Sequence, residues 1–338
     1  MPTLDIFNDD AFSLASLTAR ANTEIGYVPG QIGASGLFEE DGVTTLTIMV
    51  ESKDGNLQLV EPTPRGGPGE NVAKGRRDLR SFVVPHYERN DAVMADEVQG
   101  VRSFGTETEV ETVQGIVDSK LARHYRDLDM TLEFSRVGCV KGNVVTRDGN
   151  VLANLYTAFD ITAPADFSFV LSSETTLVRK KAEQLRRQIE DELDAPYSSI
   201  HAWCGDNFWD DLIDHKSVRE VYIAAAKINE TLGKPTDRIE IGGITFERYR
   251  TGKKAKAANG DALFIGVDEA RVVPVGVPEL FITRFAPADY METVNTKGIP
   301  RYAKQFAMKN DKGVELEVQT NHISLCTRPG VLRKAVKG

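Results

Sequence analysis

Apolar positions along this chain switch repeatedly between a strand-like spacing of two and a helix-like spacing of three and four, and each switch predicts an element. Residues 1–36 hold only a short helical motif, Phe12, Leu14 and Leu17, before Gly26, Pro29, Gly30, Gly33 and Gly36 interrupt regular structure. They read as an arm that must lie on another surface, such as a neighbouring subunit. Residues 43–50 are rich in β-branched side chains and predict a strand. Asp54-Gly55 then supplies a tight turn before residues 57–60, and the Pro- and Gly-rich residues 62–69 can enter neither a helix nor a central strand. Residues 78–85 return as a strand. A two-stranded ribbon of this kind is marginal alone and needs something to lie on.

From residue 106 to 134 the period becomes helical. Val110, Val113, Val117, Leu121, Tyr125, Leu128 and Leu132 form one apolar stripe, predicting a helix of about 40 Å at 1.5 Å per residue. Glu107, Glu109 and Glu111 suit its N-terminal dipole, Arg123 and Arg126 follow, and Gly115 is a local weakness. A hairpin follows over 141–156, turning at Asp148-Gly149. Residues 173–193 predict a helix capped by Ser or Thr, with Leu177, Leu185 and Ile189 inward. Two helical stretches over 206–232 stop at Gly233 and Pro235, and strands at 244–249 and 262–267 flank a basic loop, 250–260. Residues 173–285 therefore read as a compact α+β domain. The last residues give two strands joined by a turn at Asn310-Asp311-Lys312-Gly313.

With 338 residues the chain exceeds what one core usually fills, so subdomains are expected. An apolar fraction of 41% and a charged fraction of 27% are those of an ordinary soluble protein. The net charge of −9 argues against a reader of nucleic-acid sequence, but does not exclude a container whose inner wall only tolerates a polyanion. Cys139, Cys204 and Cys326 are widely spaced and form no pair motif, so neither disulfides nor a zinc site is indicated. The N-terminus lacks a basic and an apolar signal region, no run could span a membrane, and the product is expected in the cytosol when made.

Candidate chemistry is sparse. The glycines at 30, 33 and 36 neither follow a strand nor open a helix, and residues 66–69 lack a Gly-Lys-Ser/Thr ending, so no nucleotide fingerprint is present. Asp206, Asp210 and Asp214 share a helix face with Asp211 and His215 nearby, which could offer oxygens to a hard cation; a solvated acidic face is the plainer reading. A metal-dependent enzyme using that cluster would lose activity on Asp210→Ala. The histidines at 86, 124, 201, 215 and 322 form no metal-protease pattern and no Gly-x-Ser-x-Gly elbow occurs. No catalytic residue, metal or cofactor is expected. Arg248, Arg250, Lys253, Lys254 and Lys256 form the one basic patch.

Six runs in order resemble the capsid E family, the major capsid proteins of lambda-like tailed phages. Gly36-Leu37-Phe38, Val43, Thr45, Thr47, Leu59, Arg65-Gly66, Arg80, Phe82 and Pro85 resemble the family's N-terminal arm and extended loop. Residues 106–136 are similar to its spine helix. Cys204-Gly205 with Phe208, Leu212 and His215, and Gly243–Phe246 through Tyr249, resemble its axial domain. The most specific match is Ala286-Pro287-Ala288-Asp289, with Val294-Asn295-Thr296 and Tyr302-Ala303-Lys304.

The resemblance implies the α+β tailed-phage major capsid fold. Its parts would be an arm at 1–36, an extended loop at 37–90, a peripheral domain with spine helix and hairpin at 91–172, an axial domain at 173–285, and C-terminal strands returning to the peripheral domain at 286–338. It implies a structural, non-enzymatic subunit that self-assembles into pentamers and hexamers of an icosahedral head enclosing double-stranded DNA. A cellular nanocompartment shell of the same fold is the alternative. The implied partners are further copies of the chain, a scaffolding protein, a portal, a decoration or head-stabilising protein, and DNA lying on the inner face without sequence specificity, with no membrane. The place implied is the virion, after assembly in the host cytoplasm. Arg65, Gly66, Arg80 and Phe82 are expected to contact an adjacent capsomer, and Arg250, Lys253 and Lys254 to lie near the capsomer axis. No Lys–Asn cross-link is expected, and 36 residues are too few for a built-in scaffold.

Overall fold

The computed structural model describes residues 10–23, 30–53, 77–98, 109–219, 237–260, 262–309 and 312–338. Helix α1 (Leu14–Thr23) turns Leu17 and Ala21 inward beside Phe12. This part of the expected arm lies on its own chain: Thr18 and the Ala303 backbone exchange hydrogen bonds of 3.3 and 3.2 Å, and the Asn22 amide donates to the Arg301 carbonyl at 3.0 Å. After a helical turn at Gln31–Ala34 comes β1 (Glu39–Gly42). Strands β2 (Thr47–Lys53) and β3 (Arg77–Val83) pair antiparallel, from Thr47 opposite Val83 to Lys53 opposite Arg77. The ribbon is thus present. The Asp54-Gly55 turn, the 57–60 strand and the 62–69 loop lie outside the described residues.

Strand β4 (His86–Met94) leads towards the spine helix α2 (Glu109–Lys141). Expected to end at 134, α2 runs on because Val137 and Val140 continue the buried stripe of Val117, Leu121, Tyr125, Leu128 and Leu132. Its 33 residues span about 50 Å. It stops at Gly142, whose φ of +80° is left-handed and whose N–H donates to the Cys139 carbonyl at 2.9 Å; a β-carbon there would collide with the Tyr156 ring. The predicted hairpin follows as β5 (Asn143–Val145) and β6 (Val151–Asn154), then β7 (Phe167–Ser168).

Helix α3 (Val178–Leu193) begins five residues later than the sequence pattern suggests. Ser173, Thr175 and Thr176 bond one another and the Val170 carbonyl in a preceding turn, so their hydroxyls cap no helix. Leu177, expected inward, is the N-cap and 63% exposed. Next come β8 (Ser199–Cys204), α4 (Asp206–Asp214), β9 (Arg238–Ile241) and β10 (Ile244–Arg248). A second helical stretch starts at 216–219, and its remainder lies outside the described residues. The basic loop contains a short helix, α5 (Lys253–Ala258).

No strand forms at 262–267. Phe264 and Ile265 are buried in a bend, the Phe264 N–H donating to Thr251 Oγ1 at 3.0 Å, and extended pairing begins only at β11 (Glu269–Val275). Apolar side chains alone read the same whether they cover a sheet or plug a bend. The chain closes with β12 (Phe281–Phe285), β13 (Tyr302–Ala307), β14 (Gly313–Cys326) and β15 (Arg333–Val336).

Two larger sheets organise these elements. In one, β14 is the hub: it pairs antiparallel with β4, β12 and β13, and β1 joins β12 in parallel. The other has the order β7-β15-β11-β8-β10-β9. The pairings cut across the boundaries expected at 173, 286 and the C-terminus. Strand β7 and the last strand, β15, join the six-stranded sheet, whereas β12 joins the sheet of β14. Helices α3 and α4 bury Val178, Leu185, Ile189, Phe208 and Leu212 against the six-stranded sheet. Helices α1 and α2 bury Leu17, Leu121 and Tyr125 with Ala303, Leu316 and Val318.

Candidate assembly interface

The ribbon β2–β3 carries apolar side chains on both faces. In a strand, successive side chains point to opposite sides, so directly paired residues share a face. Ile48, Val50, Phe82 and Val84 point inward and join the core; the Phe82 ring lies 6.0 Å from that of Phe159. Leu79 and Val83 on β3, with Met49 on β2, point the other way and are 56%, 73% and 65% exposed; Leu46, in the bend before β2, is 64% exposed. Thr47, Ser81 and Glu51 stand opposite Val83, Met49 and Leu79 on this face, so it is mixed where a fully solvated face would be polar throughout. Exposed apolar side chains clustered on one side of a ribbon make it a candidate contact surface.

The expected contact residues divide on this geometry. Phe82 is 7% exposed and faces its own core, and Arg80, opposite Val50, is half-buried on that inward side. Arg65 and Gly66 lie outside the described residues, as does the Lys254 side chain. Arg250 and Lys253 are exposed; Arg250 stands 3.7 Å from Asp206, and its backbone N–H donates to Gln31 at 2.8 Å. The outward Leu79 and Val83 were not singled out from sequence. Their signal was legible as apolar residues at both parities of the strand, which a one-sided ribbon does not need.

The acidic cluster is held within the chain. Asp206 faces Arg250, and Asp211 stands 3.3 Å from Lys337. His215 Nδ1 accepts the Ser217 N–H at 3.2 Å, so the ring proton sits on Nε2 and donates to the Ser173 carbonyl at 3.0 Å. Both nitrogens are engaged in holding the turn before α3. Among the described residues no three His, Cys, Asp or Glu side chains converge as a metal site would need, and all three cysteines are buried free thiols. No described helix is long and apolar enough to cross a membrane.

Buried polar groups on α2 fix the elements behind the ribbon. Glu133 accepts the backbone N–H groups of Ile32 and Gly33 at 2.9 Å each, and the Tyr249 hydroxyl at 3.1 Å. Burial, followed by that carboxylate, pushes the Tyr249 phenol far up. Arg136, 1% exposed, bonds Glu40 and lies 5.4 Å over the Phe38 ring. Arg301 makes a forked pair with Asp129 at 2.6 and 2.7 Å, donates to the Ala21 carbonyl at 2.9 Å, and lies 5.2 Å over the Tyr125 ring. One guanidinium therefore ties the N-terminal helix, the spine and the C-terminal segment. The run 286–289 packs beside it, the Asn321 amide donating to the Pro287 carbonyl at 3.0 Å.

The sequence profile of the family described as phage major capsid protein E matches residues 13–337. The major capsid protein of Salmonella phage Felix O1 is 26% identical over 351 aligned residues, covering 95% of each chain. That of Pseudomonas phage KPP10 is 27% identical over 316, covering 88% of this chain and 90% of its own. Among solved structures, a prophage protein from E. coli CFT073 described as a capsid protein superposes with a TM-score of 0.59 at 13% identity, over 96% of this chain and 99% of that one. That likeness shows the fold, an α+β tailed-phage capsid fold. The match across nearly the whole length shows the rest: the chain belongs to the phage major capsid protein E family.

Proposed function

We propose that this capsid protein is the repeated structural subunit of an icosahedral head, forming pentamers and hexamers around double-stranded DNA and catalysing nothing. The observation that carries the reading is the set of outward apolar side chains of the ribbon, Met49, Leu79 and Val83, which no described part of the chain covers. On this reading the ribbon is the base of the extended loop and lies across an adjacent copy. The six-stranded sheet with α3 and α4 is the axial domain, and the spine with the β14 sheet is the peripheral domain. Each contact can be modest because every subunit makes several at once. Arg250 and Lys253 lie towards the capsomer axis, with acidic neighbours such as Asp206 offsetting repulsion between copies. The net charge of −9 suits a wall that holds DNA without gripping it. A scaffolding protein, a portal and a decoration or head-stabilising protein complete the assembly, which starts in the host cytoplasm and ends as a virion.

Negative-stain microscopy of the protein expressed with and without its scaffolding protein tests this. Closed shells, or rings of five and six, are expected; a uniform monomer under both conditions refutes it. Met49→Asp with Val83→Asp is expected to leave subunit stability within about 0.5 kcal/mol, as exposed substitutions do, while abolishing closure. Removing residues 62–70 should give the same outcome, folded subunits that close no shells. Intact heads from either variant would remove the ribbon from the assembly contact.

A further inference from the structure

Helix α3 carries its charges against its own dipole. Acidic residues are favoured near a helix N-terminus and basic ones near the C-terminus, by about 0.3–1 kcal/mol each at exposed sites. Here the first turn has no acidic residue and the last turn no basic one. The helix reads Arg179-Lys180-Lys181 at its start and Glu190-Asp191-Glu192 near its end. A face built only for solubility would gain from the opposite order.

Part of this charge serves the chain itself. Arg179 pairs with Glu183 at 3.1 Å, Arg186 with Glu190 at 3.4 Å, and Lys181 lies 5.6 Å over the Phe167 ring. The terminal carbonyls are served from elsewhere, Arg328 donating to Leu193 at 3.0 Å and Arg333 to Gln188 at 3.1 Å. What remains is a line. At 100° per residue Lys180, Gln184, Arg187 and Asp191 fall within about 60° of arc and run about 17 Å along the helix, and Asp194 follows as its C-cap with a left-handed φ of +43°. All five are exposed. Among the described residues Lys180, Arg187, Asp191 and Asp194 make no ion pair, although Arg187 and Asp191 are four apart on the helix.

We propose that this stripe is an electrostatic contact between copies of this chain, the basic end of one stripe meeting the acidic end of the stripe on the next copy around a ring. The inference rests on the shell-subunit reading above and adds which face of the six-stranded half joins its neighbours. A surface whose two ends are complementary to each other suits a heterologous contact, the kind that closes rings. Opposed like charges disfavour wrong registers, so the stripe sets orientation more than affinity.

Three variants test it: Lys180→Glu with Arg187→Glu, Asp191→Lys with Asp194→Lys, and all four together. Each pair leaves a stripe of one sign. The expected result is that neither pair variant forms rings or shells under conditions where the parent protein does, that mixing the two restores rings of six, in which the variants can alternate, but not rings of five, and that the fourfold variant assembles alone. Raising salt should weaken parental assembly, because exposed charges are screened. Thermal melting of the unassembled subunits controls for folding; Lys180→Glu and Asp191→Lys follow the dipole preference, while Asp194→Lys gives up a residue suited to its left-handed backbone, so midpoints should stay near the parent's. Assembly of both pair variants at the parental level overturns the proposal. So does failure of the fourfold variant with an unchanged melting midpoint. If the parent itself forms no rings or shells, the shell-subunit reading falls first, and this contact with it.

Discussion

Arg301→Met should lower subunit stability by about 3–5 kcal/mol, the usual effect of removing one partner from a buried ion pair. The substitution keeps most of the side-chain volume, so the loss reports charge and hydrogen bonds more than a cavity. Asp129, 6% exposed, would lose its forked contact with Arg301, and the Ala21 carbonyl would lose its donor. The double replacement Arg301→Met with Asp129→Leu should recover most of the loss, since an apolar pair of similar volume needs no compensating charge. Urea unfolding of the unassembled subunit reads both: a lower midpoint with unchanged slope for the single variant, and a near-parental midpoint for the double. Equal destabilisation by both would show that packing, not the lost charge contact, dominates. The pair joins residues 172 positions apart and holds α1 through its last turn, so α1 should open first in the single variant. Faster amide exchange there would mark it.

Acid should destabilise the subunit through His322. This ring is fully buried on β14, stacked on Tyr87 at 4.8 Å, with Nδ1 3.2 Å from Thr320 Oγ1. Burial first, and the Arg136 cation second, hold its pKa down to about 3. The unfolded chain binds a proton at this residue near the ordinary value of 6.5, and the folded chain does not. Stability is therefore full above about pH 6.5 and falls as pH drops towards 3. At pH 4 the loss is on the order of 3 kcal/mol, at about 1.36 kcal/mol per pH unit. Carboxylates add slopes of their own; Asp91, for instance, is pushed up by burial but held lower overall by His124 and Lys120. The contrast with His322→Phe isolates the histidine, because phenylalanine can keep the stack and cannot titrate. The expected result is a flatter stability profile between pH 6.5 and 4 for the variant. Parallel profiles would show that His322 binds no extra proton on unfolding.

Much of the fold was legible where one physical rule acted alone. The α2 stripe announced a spine helix because a period of three and four over many residues fits no strand, and the two closing strands stood out by alternation around a turn. Reading failed where a side chain had two uses. Phe264 and Ile265 are as apolar as strand residues but plug a bend, and Ser173 and Thr176 spend their hydroxyls on a turn instead of a cap. The site shows the same split. Phe82 matched the family run and turned out to face inward, whereas its neighbours Leu79 and Val83 carry the exposed face. A strand has two faces, and sequence alone does not say which one the core takes.

The sequence by itself determined the ribbon, the spine and the acidic composition, because these follow from local periodicity and residue content, and its runs in order carried the likeness to the family. Only the tertiary structure decided which surfaces remain uncovered. It brought Arg301 onto Asp129, buried His322 behind Tyr87, and split the charges of α3 into those used within the chain and those left in a line. Such pairings join residues far apart in sequence, and the energy that fixes them, burial and charge compensation, exists only once the elements have packed.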